Sequence, residues 1–80
     1  MIQPTGEWTQ HTVAEVLRAH PKGPEDGVVD LSGIRRADSA AVALLLEWRR
    51  RHGAPLTLRN PPEALQRLLT LYGVDAILTH

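Results

Sequence analysis

The stretch Gly27-Val28-Val29-Asp30-Leu31-Ser32-Gly33-Ile34 constrains this chain more than any other. It is apolar, partly β-branched and bounded by glycines, the pattern of a short strand. Its nearly continuous apolarity suits a strand in a parallel region covered by helices. A short basic loop, Arg35-Arg36-Ala37, then leads to Asp38-Ser39, and a helix is predicted from about Ala40 to His52. Gly53 follows in the usual left-handed capping position.

The flanks continue the alternation. Ile2 and Trp8 are expected on strand fragments, with Pro4-Thr5-Gly6 as a turn between them. Val13, Val16, Leu17 and His20 recur at three- and four-residue steps, which predicts a helix near 12–20. Thr12 and Glu15 are spaced as a capping box. Pro21 stops that helix, and residues 21–27 read as a surface loop. Leu56-Thr57-Leu58 predicts another short strand. Asn60 can cap a third helix near 62–72, with Pro61 in its first position and Glu63 in its third. Leu65, Leu68, Leu69 and Tyr72 form its apolar stripe, Gly73 closes it, and Val74, Ile77 and Leu78 make a last apolar segment. This order predicts an α/β fold with a small mixed sheet. Eighty residues leave room for one domain, 1–80.

Composition removes several kinds of chemistry. Cysteine is absent, so there is no disulfide framework, thiolate nucleophile or cysteine-ligated metal. His11, His20, His52 and His80 are scattered, with no pair at metal-ligand spacing. No glycine-rich phosphate loop occurs, and nothing in the sequence brings a histidine to Ser39 and its neighbour Asp38. The expectation is a protein without catalytic residues, metal or cofactor. Nine Lys and Arg balance nine Asp and Glu, a weak footprint for nucleic acid or anionic lipid. Arg35, Arg36 and Arg49-Arg50-Arg51 could touch phosphates, but three consecutive helical residues point in three directions. The longest apolar run, Ala40 to Leu46, cannot span a bilayer, and Met1-Ile2-Gln3-Pro4-Thr5 lacks signal-peptide character. These features predict a reduced, cytoplasmic protein not inserted in a membrane.

The informative segment runs from Asp38 to Trp48. At about 100° per residue, Ala41, Val42, Leu45 and Trp48 share the core side. Ala40, Ala43, Glu47 and Arg50 lie opposite, with Ser39 at the N-terminal edge. Small side chains there permit close approach by another surface. A phosphate on Ser39 would suit the helix start yet place roughly −2 charge on that surface. A plainer reading is open too: Asp38 or Ser39 caps the helix, and the alanines are good helix formers.

Val29-Asp30-Leu31-Ser32-Gly33-Ile34, followed by Arg36-Ala37-Asp38-Ser39-Ala40-Ala41, resembles the strand–loop–helix centre of STAS domains, as in anti-sigma factor antagonists. Ala43 to Trp48 and Leu71 to Leu78 are similar to its MlaB-like branch, the small STAS subunits of Mla phospholipid ABC transporters. The resemblance implies a non-catalytic interaction module whose sheet is covered by helices largely on one face. It implies a partner surface around Ser39, with Asp38, Arg36, Ala40 and Ala43. The partner would be the ATPase of an ABC transporter, or an anti-sigma factor kinase that phosphorylates Ser39. The N-terminus is short for a full leading hairpin, and Ala41 stands where antagonists usually have glycine. A small nucleic-acid-binding module is the rival from another class.

Overall fold

In the computed structural model, which describes residues 1–79, the glycine-bounded run is two strands. These are β2 (Val28–Asp30) and β3 (Ile34–Ala37), preceded by β1 (Gly6–Trp8) and α1 (Val13–Ala19) and followed by α2 (Ser39–His52), β4 (Thr57–Arg59), α3 (Glu63–Leu71) and α4 (Asp75–Thr79). Asp30 makes the break: its Oδ1 accepts the Ser32 N–H at 3.0 Å, and Ile34 N–H closes a turn onto Leu31 O at 3.1 Å. Gly33 passes so close to the N-terminal run that a Cβ there would lie 2.7 Å from Pro4 O.

Arg35-Arg36-Ala37 is therefore strand, not the loop expected. β3 pairs with β1 in parallel, with Gly6 opposite Ile34 and Glu7 opposite Arg36, so Arg35 is the extra residue of a bulge. The bulge lets two successive arginines both face solvent, which hides the strand from a search for period-two alternation. β2 pairs with β4 in parallel, Val29 opposite Leu58. β4 begins one residue later than predicted, because Leu56 is buried and its N–H donates to Leu78 O at 2.7 Å.

The N-terminal run lies along the other side of residues 28–37. Ile2 bridges Val29, accepting from Asp30 N–H at 2.8 Å and donating to Val28 O at 3.0 Å, and Gly6 N–H reaches Gly33 O at 3.0 Å. Pro4 falls between on the same side and has no N–H, so the ladder is interrupted where a turn was expected. The α/β prediction holds. The pairings are parallel rather than mixed, since the chain returns to each pairing through a helix rather than a hairpin. Trp8, Val29, Leu31 and Ile34 are buried, while Glu7, Arg35, Arg36, Thr57 and Arg59 are exposed, so the helices cover one face.

Helix α2 lies centrally, packed against α1, α3 and α4. The four residues assigned to its core side, Ala41, Val42, Leu45 and Trp48, are at most 3% exposed. Leu44 is buried as well. Trp48 donates its Nε1–H to His20 O at 2.7 Å and meets Trp8 edge to face, with centroids 5.5 Å apart.

The other helix starts differ from expectation. Thr12 precedes α1, but its hydroxyl donates to Glu7 O at 2.8 Å and accepts from Thr9 N–H at 2.9 Å, fastening the β1–α1 turn instead of capping. Glu15 pairs with Arg18 rather than completing a capping box. Helix α3 begins at Glu63, two residues after Pro61, because a residue preceding proline is kept out of the helical region. Asn60 instead takes φ +53° and turns the chain. Leu65 and Leu69 are fully buried, but Tyr72, expected on the apolar stripe, and Ile77, expected in the last apolar segment, are more than half exposed. His80 lies outside the described residues.

Gly23 holds the loop above Trp48 at φ +73°, and a Cβ there would stand 2.9 Å from Trp48 Cγ. Gly23→Ala should cost about 1–3 kcal/mol through backbone strain and overpacking. Denaturant unfolding monitored by tryptophan fluorescence checks this. A midpoint equal to that of the unmodified chain would refute the close packing of this loop.

Candidate functional site

Asp38, not Ser39, caps α2. Its Oδ1 accepts Ala40 N–H at 2.8 Å, its Oδ2 accepts Gln10 N–H at 3.1 Å, and its own N–H donates to Trp8 O at 3.3 Å. One carboxylate thus joins the end of β1, the approach to α1 and the first turn of α2. Ser39 is freed from capping and sits exposed as the first helical residue.

Two depressions adjoin this helix start, lined by the neighbours of Ser39 and not by Ser39 itself. One, of about 330 Å³, runs between α1 and α2 and is lined by Val13, Ala14, Leu17, Ala40, Ala43, Leu44 and Glu47. The other, of about 370 Å³, is polar and takes in Glu7, Gln10, His11, Arg36 and Asp38. The structure therefore gathers all five residues singled out in the sequence, Arg36, Asp38, Ser39, Ala40 and Ala43, around one helix start. They differ in freedom. Asp38 is committed to the backbone, whereas Arg36 is 75% exposed and only grazes Glu7 at 4.0 Å.

Sequence reading missed the α1 wall. Val13 and Leu17 were assigned to a helical apolar stripe, but no residue of α1 is fully buried, so that stripe is shared between the core and the groove. The missed signal was length: a seven-residue helix is too short to bury a whole face. The arginine triplet is not a surface patch. Arg50 and Arg51 both bind Glu47, and Arg51 also donates to Pro21 O at 3.0 Å. Among the described residues no cluster of three potential metal-binding side chains occurs, and no helix is long and apolar enough to cross a membrane.

Hydrogen bonds from Arg50 and then Arg51 hold the Glu47 carboxyl at about 2, from an ordinary 4.5. The N-terminal ammonium lowers Asp26, and the Ser32 N–H and Gln3 amide help lower Asp30. A depressed carboxylate stabilises the fold above its unfolded pKa, and that contribution is lost as pH falls through the folded value. The melting temperature should therefore hold down to the ordinary carboxylate range and fall between about 4.5 and about 2. Glu47→Gln should flatten part of that fall. A titration of melting temperature against pH with the same slope in both chains would remove Glu47 as a contributor.

The cap gives a second expectation. Asp38→Ala should cost about 1–2 kcal/mol, since it removes the helix cap and the Gln10 contact, whereas Ser39→Ala should be within about 0.5 kcal/mol of neutral. Thermal unfolding of both variants distinguishes them, and equal losses would return the cap to Ser39.

The comparison with protein families finds a match over residues 1–79 to the family described as "Mlab, STAS domain". No curated protein matches the chain. The family match reaches through the short N-terminal run as well as the strand–loop–helix centre. The chain belongs to the MlaB-type STAS domain family.

Proposed function

We propose that this chain is the STAS subunit that binds and supports the ATPase of an Mla-type phospholipid-transporting ABC system. It acts by contact and not by catalysis, at the cytoplasmic side of the membrane, carried there by its partner. The observation that carries this reading is the exposed Ser39, free of capping, at a helix start whose Ala40 lines an apolar groove and whose Asp38 lines a polar depression. Family membership supports an interaction module. Ala40 and Ala43, with Val13, Ala14 and Leu17 opposite, offer a groove shallow enough for a helix of the partner to approach closely. Arg36 can meet a carboxylate at the rim, since its contact with Glu7 is long and exposed.

A phospho-switched antagonist would use the same hydroxyl. The specific observation in its favour is that Ser39 is exposed at the first helical position, where free amides favour an anion. The groove favours the transporter reading, because a switch needs only the hydroxyl and leaves the α1 wall without a role.

Ser39→Glu tests both. A carboxylate at this position favours the helix by about 0.3–1 kcal/mol, so the fold should survive. In a packed interface an unpaired charge costs about 3–5 kcal/mol, a loss of a few hundredfold or more in affinity. Titration with the transporter ATPase, beside thermal unfolding, reads both effects. Unchanged affinity in a folded Ser39→Glu chain removes Ser39 from the interface. Transfer of phosphate to Ser39 by an anti-sigma factor kinase, seen by mass spectrometry, would favour the antagonist.

A further inference from the structure

The N-terminal run has a second side. Among the described residues all peptide bonds are trans, so the direction of each amide follows from its neighbours. Ile2 O accepts from Asp30 N–H, which turns Gln3 N–H away from β2. Pro4 O lies against Gly33, and Gly6 N–H donates to Gly33 O, which turns Thr5 N–H and Thr5 C=O away from β3. Gln3 and Thr5 are exposed. Pro4 is the one residue able to blunt a sheet edge, yet its nitrogen faces inward, so the outer edge keeps its donors.

Beside this edge lies a slot of about 390 Å³. Residues 1–5 form one side and Val16 and His20 the other, and Trp8 contributes to the lining. Trp8 is itself buried, and its Nε1–H has no acceptor among the described residues.

We propose that this slot is a docking site for a single extended peptide segment of a partner, added as a strand along Gln3–Thr5. Hydrogen bonding to an edge beside a helix is one of the recurring ways a sheet takes up a peptide. The backbone decides the occupant: the outward N–H of Gln3 and the outward N–H and C=O of Thr5 match the alternating donors and acceptors of one extended chain about 4.8 Å away. Residues 2–5 extend over roughly 13 Å, enough for about four peptide residues. Charge selects an uncharged segment: Gln3 and Thr5 are neutral, and the N-terminal ammonium is already held by Asp26 at 2.8 Å. Alternate side chains of the peptide would face Val16 and Trp8, which favours Val or Ile at those positions.

The test is an amide NMR titration with the capped peptide acetyl-Val-Thr-Val-Thr-Val-amide. Expected are shifts at the Gln3 and Thr5 amides and the Trp8 indole, with hydrogen exchange at Gln3 and Thr5 slowed by about tenfold at saturation. Val16→Trp fills the slot from the helix side and should weaken binding by about tenfold or more. If that variant does not fold, the location of the shifts in the unmodified chain still decides. Shifts confined to Ala14, Ala40 and Ala43, or none at millimolar peptide, overturn the proposal. Line broadening at Gln3 and Thr5 that grows with protein concentration alone would assign the edge to a second copy and overturn it equally.

Discussion

The hydrogen bond from Trp48 Nε1 to His20 O is the constraint on which the rest depends. It ties the C-terminal end of α1, whose own residues are nowhere fully buried, to α2 just before its last turn. Trp8 stacks edge to face on the same indole, and the Gly23 loop closes over it. Strand, helix and loop thus meet on one side chain of an 80-residue chain. A domain this small has little other apolar area to spend on holding α1, so the width of the α1–α2 groove follows from where Trp48 sits.

At the other end of the groove Asp38 has the corresponding role for polar groups. Helix starts leave four amide donors without partners, and Asp38 satisfies the Ala40 donor while also taking the Gln10 amide. Because that work falls to Asp38, Ser39 keeps an uncommitted hydroxyl on the surface. A serine that caps its own helix is poorly placed for recognition, since engaging it would undo the cap. The neighbouring carboxylate separates stability from availability within two residues.

Much of this was legible in the sequence. The core side of α2 could be read because a 14-residue helix covers nearly four turns, enough for the 3.6-residue period to declare itself. Ser39 and the four residues around it are close in sequence, so a helix start alone gathers them. What was not legible arises from contacts distant along the chain. The bulge at Arg35 needs β1 opposite it, and the ladder gap at Pro4 needs Gly33. Thr12 looked like a cap until Glu7 O and Thr9 N–H offered it better partners. Asn60 failed as a cap for a local reason that could have been seen: a second proline at 62 forbids Pro61 the helical conformation. The α1 wall was hidden because half-buried and fully buried apolar stripes share one periodicity.

Charge bears on how the proposed contact would form, and it points to shape rather than to long-range attraction. Arg50 and Arg51 are engaged with Glu47, Arg18 with Glu15, Arg67 with Glu63 and Arg36, more loosely, with Glu7. With nine cations balanced by nine anions and many paired within the chain, little field is left to steer a partner from a distance. Association would then depend on close fit after encounter, the regime in which small side chains such as Ala40 and Ala43 matter most. A methyl group at either position sets how near another backbone can come, and one larger side chain would close the groove without disturbing the core beneath it. The same balance of charge suits the neutral, closely packed contact proposed for the α1–α2 groove.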